Sequence, residues 1–159
     1  MSAIEKNDDA RSIVTTRMFD APRELVFEVW TSAEHVAQWW GPFGFTTTTH
    51  EMSVTPGGTW RFIMHGPDGV DYPNLIVYEE VTPPERLVYM HTGDDGSASF
   101  HVVVTFEEVC SQTRLTMRSL FETVEAREFV VEKYGAIEGA RQTLDRLARY
   151  VAARAEAGS

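Results

Sequence analysis

Residues 59–91 read TWRFIMHGPDGVDYPNLIVYEEVTPPERLVYMH. In TWRFIMH the period is two, with Trp60, Phe62 and Met64 on one face and Arg61, Ile63 and His65 on the other. That alternation marks a half-buried strand. Gly66-Pro67-Asp68-Gly69 is a hairpin loop, because glycine and proline supply turn geometry that a strand cannot. YPNLIVYEEV and RLVYMH then give two more strands, separated by Pro83-Pro84. Three strands joined by short turns make an antiparallel sheet, and the rest of the chain must cover one face of it.

The pattern continues on both sides. FTTTTHEMSV (45–54) is a strand that turns at Pro56-Gly57-Gly58. SFHVVVTFEEV (99–109) and TRLTMRSLF (113–121) follow, the first entered through a turn at Asp94-Asp95-Gly96 and the two joined through Cys110, Ser111 and Gln112. SIVTTRMF (12–19) is a β-branched first strand. After it, Asp20 is a candidate cap and Pro22 suits a first helical turn. Leu25, Val26, Val29 and Trp30 then share a helical face. Thr31 or Ser32 can cap a second short helix that ends near Trp40, before Gly41-Pro42. Beyond Thr123 the period is 3.6, and Val130, Tyr134, Ile137, Leu144, Leu147 and Val151 mark one stripe of a long helix. The order is one strand, two short helices, six strands and one long helix, an α+β domain. A sheet curled around one helix leaves space between the layers, where ligand sites are common.

These stretches carry a resemblance. RMFDAPRELVFEVWTSAEHVAQWWGPFGF (17–45), VTPGGTWRFIMHGPDG (54–69) and EEVTPPERLVY (79–89) resemble the bacterial family named after the C-terminal domain of the activator of Hsp90 ATPase. That family lies within the START/Bet v 1-like superfamily, and the likeness runs over roughly residues 12–152. It implies a helix-grip (Bet v 1-like) fold: about seven curved antiparallel strands around the C-terminal helix, with an apolar cavity between them. Superfamily members bind lipids, polyketides, steroids or other hydrophobic molecules. Some are cyclases, hydrolases or self-sacrificing resistance proteins, and the eukaryotic namesake stimulates a chaperone. The expectation is a single domain over 12–152, with 1–11 and 153–159 as flexible tails.

The 159 residues carry a net charge of -10, which argues against a nucleic-acid surface built from clustered Lys and Arg. The one cysteine, Cys110, allows no internal disulfide. The start, MSAIEKNDDARS, has no apolar core of a signal peptide, and no apolar run approaches a membrane span. A cytoplasmic protein without membrane contact is the expectation, with self-association into a homodimer open through WWGPF or an edge strand.

The aromatic run HVAQWWGPFGF (35–45) has two readings. One tryptophan can plug the sheet end, and one can line the cavity while Gly41-Pro42 lets the loop hinge. Both hold at once, since adjacent residues at a helix end point about 100° apart. Trp39, Trp40 and Phe45 are therefore candidate ligand-binding residues, with Trp60, Phe62, Met64, Tyr78, Tyr89, His91 and Met117 from the strands and Tyr134 and Ile137 from the helix. Glu80 sits on the inward parity with Ile76 and Tyr78, where its charge needs a partner such as Arg86. Glu80, Tyr89 and His91 are the acid–base candidates if the cavity is catalytic; a structural ion pair is the plainer role for Glu80. None of the five histidines has a metal-ligand spacing such as HExxH, and GxSxG is absent, so neither metal nor cofactor is expected. Gly135 and Gly139 each weaken a helix interior, so close packing or room for a ligand should compensate.

Overall fold

Each stretch with a two-residue period becomes a strand. The computed structural model describes residues 10–93 and 100–157, apart from the side chains of Lys133, Tyr134 and residues 155–157. In chain order the elements are β1 (Ser12–Phe19), α1 (Arg23–Thr31), α2 (Ala33–Val36), β2 (Thr46–Met52), β3 (Thr59–His65), β4 (Asp71–Thr82), β5 (Arg86–Gly93), β6 (Phe100–Val109), β7 (Gln112–Phe121), α3 (Val124–Tyr134) and α4 (Ala136–Ala157). One antiparallel sheet runs β1-β7-β6-β5-β4-β3-β2. The first strand closes on the last, from Ser12 opposite Leu120 to Phe19 opposite Thr113. β6 and β7 join through Cys110 and Ser111, both at positive φ (48° and 73°). Positive φ at both positions is the primed hairpin turn that matches strand twist. The expected turn at Asp94-Asp95-Gly96 and the residues before Phe100 lie outside the described residues, as do 1–9 and 158–159.

Three sequence expectations are corrected. Asp20 does not cap α1; Pro22 does, in extended geometry and with no side-chain bond, its carbonyl accepting from Leu25 and Val26. The Ser32 side chain likewise makes no cap bond, and the Thr31 hydroxyl turns back onto the Phe27 carbonyl at 2.9 Å. The C-terminal helix is two helices, broken at Gly135, whose φ of 61° is left-handed and whose N–H bonds back to Val130 and Val131. Glycine takes that conformation without the Cβ clash that other residues meet, so it ends α3 here and the helical phase resets. The single stripe expected from Val130 to Val151 is therefore divided. Leu144, Leu147 and Val151 are fully buried, while Ile137 is 47% exposed. α4 runs to Ala157.

The core lies between the sheet's concave face and the helices. Trp30, Trp39, Trp60, Phe62, Tyr78, Leu87, Phe106 and Leu115 are buried there. α4 contacts β1, and Asp145 on α4 bridges Arg17 of β1 and Arg149 at 3.1 Å each.

Candidate functional site

The neighbouring indoles at 39 and 40 take different jobs. Trp39 is wholly buried and donates its Nε1–H to the Val29 carbonyl at 3.1 Å, which fixes α2 against α1. Trp40 packs edge-on to Trp60, with ring centroids 4.8 Å apart, and lines a cavity of about 300 Å³. Gly41 (φ 104°) lets the chain turn sharply after it. A Cβ there would come within 3.0 Å of the Met64 methyl and 3.1 Å of Phe45 Cβ.

The loop that follows is tied down. Arg146 Nη1 of α4 faces four carbonyls, those of Trp40 (3.3 Å), Gly41 (3.0 Å), Pro42 (3.1 Å) and Phe45 (3.1 Å). Gln142 accepts the Phe43 N–H at 3.1 Å, and the Thr47 hydroxyl donates to Trp40 O. The hinge expected at Gly41-Pro42 is thus clamped by a half-buried guanidinium, whose pKa burial lowers.

The hollow has an identifiable cause in α4. Ala136, Gly139, Ala140 and Thr143 follow the i, i+3, i+4, i+7 pattern and form the helix's side of the cavity. One turn later the same helix presents Leu144, Leu147 and Val151, which fill the core. Small side chains at the start of α4 leave space that the large ones further along close. On the sheet side the walls are Tyr89 and His91 of β5, Val102 of β6 and Met117 and Ser119 of β7.

His91 is the polar group with the most defined state. Asn74 Nδ2 donates to Tyr72 O at 2.8 Å, which turns Asn74 Oδ1 toward His91 Nε2 at 3.0 Å. His91 therefore carries its proton on Nε2, and Nδ1 is the ring's acceptor. Burial among Trp40, Phe62 and Phe100 lowers its pKa from 6.5 to about 4, so the imidazole is neutral at physiological pH. Burial also pushes the Tyr89 phenol far above its usual range, and Tyr78 directly opposite adds to the effect.

Of the residues expected from sequence, Trp40, Met64, Tyr89, His91 and Met117 meet around the cavity. Phe45 lies in an adjoining, more open cleft of about 490 Å³. Trp39, Trp60, Phe62 and Tyr78 are core residues that do not line the cavity. Ile137 points to solvent, and the Tyr134 side chain lies outside the described residues. Glu80 is a correction. A β-bulge between Tyr78 and Glu80 adds one residue, so Val81 opposite Leu87 takes the inward place. Glu80 is 44% exposed and bonds Arg86 at 3.2 Å and the Thr82 hydroxyl at 3.0 Å, which is the surface ion pair, away from the cavity.

The model of the family described as activator of Hsp90 ATPase homolog 1-like protein matches residues 20–152. The chain belongs to this family. No curated protein matches its sequence. Solved structures share the fold of this activator of Hsp90 ATPase homolog 1-like domain. A protein of Arthrobacter aurescens is 25% identical with a TM-score of 0.84, over 92% of this chain and 88% of that one. One of Staphylococcus epidermidis is 26% identical with a TM-score of 0.78, over 91% of each chain. One of Rhodobacter sphaeroides is 25% identical with a TM-score of 0.79, over 91% of this chain and 94% of that one. The activator of Hsp90 ATPase homolog 1-like fold is in general a ligand-binding one. Among the described residues no helix is long and apolar enough to cross a membrane.

Two parts of the site escaped the sequence reading. The sequence singles out Gly139 as a place for close packing or a ligand, but its neighbours Ala136, Ala140 and Thr143 on the same helical face are passed over by a search for large apolar residues. Arg146 acts across more than 100 residues of chain, a contact with no local signature.

Proposed function

We propose that the protein binds a small hydrophobic, aromatic molecule in the cavity between the sheet and α4. The supporting observation is a hollow of about 300 Å³ with nearly all-apolar walls, within a domain whose tryptophans are otherwise tightly packed. Such a space is at the lower end of small-ligand sites, and twice the size of an engineered cavity that accepts benzene. Apolar area buried there would supply the affinity, at about 25 cal/mol per Å². Tyr89, His91 and Ser119 would orient the guest.

An acid–base enzyme in the same cavity has less support. Glu80 is on the surface, the Tyr89 proton is held more tightly by burial, and the Nε2 proton of His91 is engaged by Asn74. Titration with N-phenyl-1-naphthylamine, which brightens in apolar surroundings, tests the binding reading. Saturable enhancement that Ala140→Phe removes, at unchanged folding, is the expected result. No enhancement in the wild type, or enhancement indifferent to filling the cavity, would reject it.

A further inference from the structure

The cavity and the cleft beside it share three wall residues, Pro42, Met64 and Gly139. Their chemistry differs. Among the described residues the cavity wall holds no Lys, Arg, Asp or Glu, and its histidine is a neutral ring that donates its Nε2–H to Asn74. The cleft gathers polar groups instead: Asn74, Gln142, Tyr72 and Glu138. Glu138 is exposed and ion-paired with Arg141, with Gln142 also donating to it, so the cleft rim is polar without a lone charge.

At the junction, Gly139 is the narrowest possible residue. A Cβ there would lie 3.5 Å from Pro42 Cγ, already in contact across the gap. The Pro42 side cannot swing away, because Arg146 and Gln142 hold that loop from both ends. The movable element is Met64, an unbranched thioether that changes shape at low cost.

Building on the binding reading above, we propose that cavity and cleft are two compartments of one site, joined at a neck of Pro42, Met64 and Gly139, for an elongated ligand with an uncharged aromatic end and a polar, uncharged extension. Gly139 then determines specificity by setting the neck. A longer residue at 139 would select against the extension more than against the aromatic end.

Calorimetric titration with two probes sharing one aromatic head tests this: 2-methoxynaphthalene and 2-naphthyl β-D-glucoside. The glucoside should bind at least as tightly as 2-methoxynaphthalene. Gly139→Leu should lower the glucoside-to-methoxynaphthalene affinity ratio about tenfold, and Gly139→Ala less. A glucoside that binds the wild type more weakly than 2-methoxynaphthalene, or a ratio unmoved by Gly139→Leu, would overturn the two-compartment site while leaving the apolar cavity intact. If 2-methoxynaphthalene itself does not bind, the binding reading falls and this inference with it.

Discussion

Lowering the pH should unfold this protein partly through one part-buried ring at the cavity wall. His91 has its pKa lowered from 6.5 to about 4 by burial. The native state therefore refuses a proton that the unfolded chain accepts. The sign follows: at neutral pH both states hold His91 neutral and the ring contributes nothing to the pH dependence. As pH falls below 6.5 the unfolded state gains protons and the native state does not, so stability drops until about pH 4 and levels off below it. At about 1.4 kcal/mol per pH unit the full displacement corresponds to about 3 kcal/mol, and to about 2.5 kcal/mol at pH 4.5. Urea denaturation of the wild type and His91→Phe between pH 7 and 4.5 isolates the effect. Every group away from position 91 is common to both proteins and cancels in the difference. The variant is expected to start lower at pH 7, having lost the Asn74 bond, and to lose about 2.5 kcal/mol less than the wild type on acidification. Parallel pH curves for the two proteins would refute the assignment of His91 as a part-buried neutral ring.

Three further substitutions separate the roles assigned above. Gly135→Ala should cost about 1 kcal/mol in urea denaturation, because alanine must adopt the left-handed conformation at φ 61°; no loss would mean that the break between α3 and α4 relaxes freely. Arg146→Met, which keeps the apolar stem, should cost about 2 kcal/mol by leaving the loop carbonyls without their charged donor, and amide exchange at residues 41–45 should rise with it. Glu80→Gln should change stability by no more than about 0.5 kcal/mol and leave probe binding unaltered, as suits an exposed ion pair; a loss of binding would return Glu80 to the site.

Much of the sheet is readable from the chain because its faces alternate. Trp60, Phe62, Leu87 and Tyr89 all point inward as their parity requires, and β1 and β3 begin and end where the pattern does. Parity fails at Glu80, since a bulge is a one-residue slip between strands that leaves no mark on either strand alone. The helix break fails for a related reason: Gly135 in a periodic run is costly inside a helix but favoured at a helix end, and tertiary packing decides which it is. Within the site, large residues were legible, whereas the position of the space was signalled only by Gly139. Trp40, Met64, Tyr89, His91 and Met117 are visible as candidates, but a cavity is made by what is missing, here the side chains beyond Cβ at Ala136, Gly139 and Ala140. The aromatic candidates that prove to be core, such as Trp60 and Tyr78, share the inward face with the lining residues but pack into the core and do not border the cavity.

Methionine methyl groups offer the most direct view of whether the hollow accepts a guest. Met64 and Met117 line it, whereas Met18 is 40% exposed and Met90 sits opposite His101 on the outer parity of β5. With methyl-labelled methionine, addition of 2-methoxynaphthalene is expected to shift the Met64 and Met117 signals saturably and leave Met18 and Met90 in place. Unmoved Met64 and Met117 signals at saturating probe, or shifts confined to Met18 and Met90, would contradict an accessible ligand cavity between the sheet and α4.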